Sequence, residues 1–288
     1  MSERKDIYQQ ITNRIIQQLE NGVRPWLRPW ETNGLPVRPT RSTGEPYRGI
    51  NVLVLWDAAS QAGYSSPYWF TFKQALALNA CVKKGERGTF VVYAGSMEKT
   101  EQSETGEDIE RRIPFLKSYA VFNAEQIEGL DAKYYPVAPE PKATGERLAQ
   151  VDRFVENTGV DLRHGGNRAF YNGGLDFVQM PNFEQFSTPE GYAATLCHEV
   201  VHWSGHEARL NRTFGKRFGD QAYAREELVA EIGSAFLGVD LGVSIEPRED
   251  HAAYLESWLK CLKEDKRAIF QAASAAERAA GFLHDLQP

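Results

Sequence analysis

Residues 198–202 read His-Glu-Val-Val-His. In a helix, positions four apart lie one above the other on one face. His198 and His202 can therefore offer two imidazole nitrogens to a single cation. Glu199 stands one residue on, within reach of a water held by that cation. A zinc ion so placed lowers the pKa of its water to about 7, and a neighbouring carboxylate takes the proton. The pattern predicts hydrolysis of an amide, with His198 and His202 as metal ligands and Glu199 as the catalytic base. A pattern of only three fixed positions also arises by chance, so its setting decides.

The setting is helical. Ser187 is a candidate N-cap, Glu190 stands at the capping-box position, and Pro189 is tolerated in a first turn. Gly205 is a natural stop, which predicts a helix over about 188–204. Ala193, Leu196, Cys197, Val200, Val201 and Trp203 make it strongly apolar. Two histidines and a glutamate inside such a helix need partners, and a metal supplies one.

A catalytic zinc has three protein ligands and an open position, and the chain offers two routes to the third. His206 lies four residues beyond His202, but past the expected helix stop. The alternative is Tyr223–Leu237, a strong helix on which Glu227 and Glu231 share a face; a bland reading leaves both as surface carboxylates. Gly205 fits the metzincin pattern, but Ala208 stands where that pattern has its third His. The Tyr223–Leu237 segment resembles the second helix of the gluzincins, where a Glu ligand is followed four residues later by an acidic residue that orients a histidine. That resemblance implies Glu227 as the third ligand and Glu231 as acceptor from a ligand His N–H. Zn²⁺ is the expected cofactor, although Mn²⁺ or Co²⁺ suits the same donors. Upstream, 169–180 reads as strand, Gly-Gly turn and strand, with Tyr171, Asp176 and Gln179 near the cleft as ordinary sheet residues.

The chain of 288 residues has room for one large domain or two ordinary ones. It has no apolar run long enough to span a bilayer and no signal-peptide pattern, which predicts no membrane association and a cytoplasmic location. Cys81, Cys197 and Cys261 are too few and too dispersed for a disulfide framework. The net charge of −6 conceals an asymmetry: residues 1–99 carry 13 Lys/Arg against 8 Asp/Glu. The first part is basic and the remainder strongly acidic. Three prolines within 135–142 mark a linker, dividing the chain into domains over 1–135 and 143–288. Residues 98–110 read as an exposed hairpin loop between two strands. Helices are expected over about 4–20, 248–263 and 264–284. The predicted fold class is α+β in both domains, with an antiparallel sheet in the first.

The basic part interleaves aromatics with cations, a composition suited to single-stranded nucleic acid: bases stack on rings and cations follow phosphates. The candidate contacts are Arg24, Trp26, Arg28, Trp30, Arg38, Arg41, Tyr47, Arg48, Lys73, Lys83, Lys84 and Arg87. Trp and Tyr also fill cores, and Arg-Pro-Trp also makes structural loops.

The segments Trp26–Trp30, Tyr47–Asn51, Trp69–Gln74, Val82–Gly88 and Val121–Gly129 resemble the N-terminal domain of ArdC-type antirestriction proteins, which also occurs in plasmid primases. The runs His198–Leu210 and Glu226–Glu231 resemble the zincin-like domain joined to it. The resemblance covers nearly the whole chain, in order. It implies a single-stranded-DNA-binding N-terminal domain, a metallopeptidase-like C-terminal domain, and protection of incoming plasmid DNA from host restriction during conjugation. A protein substrate, such as a component of the restriction system, would follow for the peptidase. Two other readings stand beside it: a non-catalytic DNA shield with structural zinc, and a cytoplasmic zinc peptidase with no DNA role.

Overall fold

A computed structural model describes residues 6–26, 37–102, 108–136, 144–215, 220–243 and 251–288. The chain opens with α1 (Ile7–Glu20), β1 (Thr40–Arg41), α2 (Ile50–Ala62), β2 (Tyr68–Phe70), α3 (Phe72–Ala77), β3 (Cys81–Val82), β4 (Thr89–Gln102), β5 (Asp108–Asn123) and β6 (Ile127–Glu128). It continues through α4 (Thr144–Asn157), β7 (Asp161–His164), β8 (Phe170–Asn172), β9 (Phe177–Met180), α5 (Pro189–Ser204), α6 (Gln221–Asp240), α7 (His251–Glu264) and α8 (Ala268–Asp285). Both halves mix helices and sheets, as the α+β expectation has it.

In the first half, a sheet of order β1-β2-β5-β4 is antiparallel except for the short β1–β2 pair. The hairpin loop expected over 98–110 is shorter: the β4–β5 ladder continues out to Gln102 opposite Asp108. Residues 103–107 lie outside the described residues. The linker expected over 135–142 also falls mostly outside them. In the second half, three strands run in the order β7-β9-β8, with β8 antiparallel to β9 and at the sheet edge. Asn172 accepts from the backbone of Gly174 and Leu175 and so closes the expected Gly-Gly turn.

The halves are not packed independently. One continuous apolar cluster holds Leu19, Leu53 and Trp56 from the first half with Phe236, Trp258 and Ile269 from the second. Trp26 meets Trp258 edge to face at 5.8 Å, and Trp56 meets Phe236 in the same way at 5.8 Å. Buried Ala272, Ala276, Ala279 and Ala280 make one side of α8 flat enough to lie close against α6 and α2. A second, smaller cluster around Phe70, Ile127 and Tyr134 belongs to the first half alone.

An ionic strut crosses the same boundary. Arg38 donates to both carboxylate oxygens of Asp240, at 2.9 and 2.8 Å, and to Glu277 at 3.0 Å. Its guanidinium lies 4.4 Å from the Phe236 ring centroid, while His284 adds a contact to Asp240 at 3.1 Å. Burial pushes the Asp240 carboxyl up, but the bonds from His284 and Arg38 outweigh it and hold it below the ordinary 3.8. A carboxyl depressed by folding contributes stability that is full above its ordinary value and is lost as pH falls toward its folded value. Arg38→Ala should therefore cost about 2–3 kcal/mol at pH 7. Urea unfolding should show that deficit narrowing as pH falls below 3.8, where the unfolded chain protonates Asp240 first and the folded protein follows at lower pH.

Candidate metal centre

The helix carrying His198 starts where Thr188, not Ser187, accepts from the Gly191 N–H; Pro189 takes the first helical position. Both hydroxyl residues satisfy a capping rule, and the one nearer the proline has the extended backbone that a cap requires. The chain turns out of α5 at Gly205, as expected. Neighbouring α6 lies so close that a Cβ at Gly233 would meet Val201 Cγ1 at 2.9 Å. That approach brings α6 carboxylates to the two histidines.

His198, Glu199, His202 and Glu227 are all buried. The Nε2 atoms of His198 and His202 stand 3.1 Å apart. Glu227 lies 3.5 Å from His198 Nε2 and 3.6 Å from His202 Nε2. Tetrahedral zinc with bonds near 2.0–2.1 Å places its ligand atoms about 3.3 Å from one another, so the triangle has the size of a metal's ligand face. The outer nitrogens support this. Glu226 faces His202 Nδ1 at 3.2 Å, and Glu231 faces His198 Nδ1 at 3.4 Å. A carboxylate accepts only, so a metal-binding tautomer with its proton on Nδ1 faces an acceptor in each case and turns its Nε2 lone pair toward its neighbour. Two lone pairs at that distance repel unless a cation lies between them. Among the described residues, His198, His202 and Glu227 are the group of ligand atoms close enough to hold one ion.

The carboxylates are prepared for the same role. Burial pushes Glu227 up, but with no cation bound its contacts with His198 and His202 as protonated rings outweigh it and hold the group at about 2. Burial likewise opposes ionisation of Glu226, and its bonds to His202 and Arg212 again prevail. Arg212 clamps Glu226 at 2.8 Å while donating to Val201 O at 2.6 Å and Ser204 Oγ at 2.9 Å, tying the end of α5 to α6. Cys197, one residue before His198, is fully enclosed and pushed up to about 12 by burial, so it is a core thiol.

Sequence reasoning missed Glu226, although the need of each ligand imidazole for an outer acceptor was a usable signal. It also missed Tyr223 and Tyr254, which line the cleft with their hydroxyls 3.2 Å apart. Burial and the bonds to Tyr254 and Glu227 push the Tyr223 phenol up, keeping it a donor. His206, the other route to a third ligand, instead accepts from the Ala208 N–H at 3.2 Å. Asp176 is held by Arg209 and Tyr171, and Gln179 donates to Gly165 O at 2.7 Å, so both are structural.

The expected DNA contacts divide. Trp26 and Tyr47 are closed to a nucleobase, since both lie in the core. The guanidinium of Arg41 covers the Tyr47 ring at 5.0 Å and pairs with Glu45. Arg38 is neutralised in the strut, and Arg24 is half-buried beside Trp26. Apolar contact between the halves claims the large rings that composition alone had offered to a ligand. Arg28 and Trp30 lie outside the described residues. Arg48, Lys73, Lys83, Lys84 and Arg87 are exposed, with Lys83 Nζ donating to Glu125 O at 2.8 Å. The exposed rings that sequence reasoning passed over include Phe72 and Phe90.

Comparison with known proteins agrees with both halves. Residues 5–122 match the family model for the N-terminal domain of anti-restriction factor ArdC, and residues 149–275 match a zincin-like metallopeptidase family. An uncharacterized protein y4eC of Sinorhizobium fredii is 41% identical, covering 98% of this chain and 92% of its own length. A DNA primase TraC of Escherichia coli is 37% identical over 97% of this chain, which spans 27% of that primase. The metal-free crystal structure of the antirestriction protein ArdC from plasmid R388 superimposes with a TM-score of 0.83 at 45% identity, covering 98% of this chain and 97% of that one. Its Mn(II)-bound form gives 0.81 at 43% identity, covering 98% of each chain. With a sheet-bearing first half, a His/His/Glu cluster suited to a divalent cation in the second, and relatives that align across nearly the whole length, the chain belongs to the ArdC antirestriction family.

Proposed function

We propose that this protein binds single-stranded DNA without sequence preference through an N-terminal domain, residues 1–135, and protects incoming plasmid DNA from restriction in the recipient cytoplasm. Its C-terminal domain, residues 143–288, acts as a zinc-dependent peptidase on a protein met at that DNA, such as a component of the restriction system. The observation that carries the second part is the triangle of ligand atoms with edges of 3.1, 3.5 and 3.6 Å, beside which Glu199 lines the cleft.

His198, His202 and Glu227 would hold the ion, and zinc suits that donor set. Bound there, it would polarise the scissile carbonyl and acidify a water. Glu199 takes the water's proton and delivers it to the leaving nitrogen. Glu226 and Glu231 fix the tautomer and direction of the two imidazoles. Tyr223 holds Glu227 in place. The unpaired edge of β8 lies beside the cluster and offers backbone groups to an extended peptide.

For the first part, the exposed cations Arg48, Lys73, Lys84 and Arg87 supply charge, and Phe72 and Phe90 supply open ring faces. The two halves share a core, so the whole chain is the material to test. Anisotropy of a labelled single-stranded oligonucleotide over a salt series should show binding that duplex competes for poorly. The double variant K84E/R87E should weaken it on every sequence and flatten the salt slope by about 1.4, roughly 0.7 per lost phosphate contact. An unchanged slope would move the site elsewhere. No binding by the wild-type chain at low salt would remove DNA from its function.

A further inference from the structure

The cleft does not stop at the His/His/Glu cluster. A cavity of about 390 Å³ on one side holds Asn167, Arg168, Phe170 and Tyr254. A cavity of about 860 Å³ on the other holds Gly173, Gly174, His206 and Glu207. Both are lined by Tyr171, His202, Phe214, Tyr223 and Glu227. They therefore join at the cluster, and β8 with its turn runs along both: Phe170 in the first limb, Gly173 in the second.

The limbs differ in charge. In the first, Arg168 is exposed and outside every ion pair of the described residues, and the carboxylates among the described lining residues are Glu199 and Glu227 of the cluster itself. In the second, Arg212 is committed to Glu226, while Glu207 is exposed.

We infer that the cleft takes an internal bond of an extended polypeptide and selects an acidic side chain through Arg168 in the limb beside Phe170 and Tyr254. This rests on the peptidase reading of the site. An enzyme that trims chain ends closes its cleft with a group that holds the terminal charge. Here the cleft continues on both sides of the reacting position, and Arg168 stands at an open surface, where it meets a side chain with the backbone passing by. A substrate carboxylate finds an unpaired guanidinium in one limb and repulsion from Glu207 in the other, so the preference is one-sided. The reaction adds water across the bond: its hydroxyl joins the carbonyl carbon, the C–N bond breaks, and its remaining hydrogen goes to the departing nitrogen. No oxidant or reductant takes part.

The test uses the full chain loaded with Zn²⁺ and a mixture of acetylated, amidated peptides, with products read by mass spectrometry. Internal cleavage enriched for Asp or Glu at one subsite is expected, and Arg168→Glu should invert that enrichment toward Lys or Arg while metal content stays constant. Binding is measured separately on the Glu199→Gln protein, by anisotropy of a labelled blocked peptide carrying Asp or Lys. Arg168→Glu in that background should weaken the Asp peptide by about tenfold and strengthen the Lys peptide. Cleavage only of peptides with a free terminus overturns the inference. So does an acidic preference that survives Arg168→Glu in both readouts. A metal-loaded wild-type chain that neither cuts nor binds any peptide removes the peptidase reading itself, an outcome distinct from terminal trimming.

Discussion

Glu199→Ala should keep its metal and lose about 10²–10⁴ of the rate of peptide hydrolysis. The metal should stay because the ligand atoms grouped closely enough to hold an ion are those of His198, His202 and Glu227, and the carboxylates that face the outer imidazole nitrogens, Glu226 and Glu231, come from α6. Glu199 belongs to neither set. In the proposed mechanism the rate falls because this carboxylate collects a proton from water and returns it to the leaving nitrogen, and alanine can do neither. Two measurements on one preparation suffice: metal content, and cleavage of the peptide mixture. Full cleavage with full metal would strike Glu199 from the mechanism. Antirestriction that persists in Glu199→Ala would separate DNA protection from proteolysis and favour the reading of the protein as a shield.

His198→Ala should do the opposite and remove the metal, weakening affinity by at least about a hundredfold. Losing an orienting outer carboxylate already costs 10–100-fold, and here a direct ligand is lost. Two acidic neighbours, Glu227 at 3.5 Å and Glu231 at 3.4 Å, also lose the imidazole they face. Wild-type protein should melt at a higher temperature as zinc is added, because a ligand that binds only the folded state stabilises it. In His198→Ala that dependence should vanish across the same range. Cys197→Ala is the control: the enclosed thiol next door holds no metal, so zinc dependence should persist. Zinc stabilisation of His198→Ala equal to the wild type would place the ion elsewhere.

Much of the metal centre was legible because its grammar is local. His198, Glu199 and His202 sit at helical spacing, and a helix is the same object whatever surrounds it. Glu227 required more, since it comes from another helix whose distance depends on Gly233 and Val201, a contact that no periodicity reveals. Glu226 was passed over for a related reason. It stands next to Glu227 on α6, about 100° around the helix, and meets both His202 and Arg212, contacts that depend on how α5 and α6 pack. The first half was harder. An Arg-Pro-Trp run has the same composition whether its ring meets a base or another tryptophan. Trp26 meets Trp258, more than two hundred residues away, and long-range packing of that kind has no signature along the chain. The exposure of Phe72 and Phe90 is set by the same long-range packing.

The apolar cluster that runs through both halves also bears on how such a protein can be inherited. A part that exposes Leu53, Trp56 and Trp26 when cut away from α6, α7 and α8 is a poor candidate for independent transfer between genes. Recombination that separated the halves would leave each with a wound of large apolar side chains. The stretch that aligns within the TraC primase is 97% of this chain, both halves together, inside a protein several times longer. A shared core of that kind favours inheritance of the two halves as a single cassette.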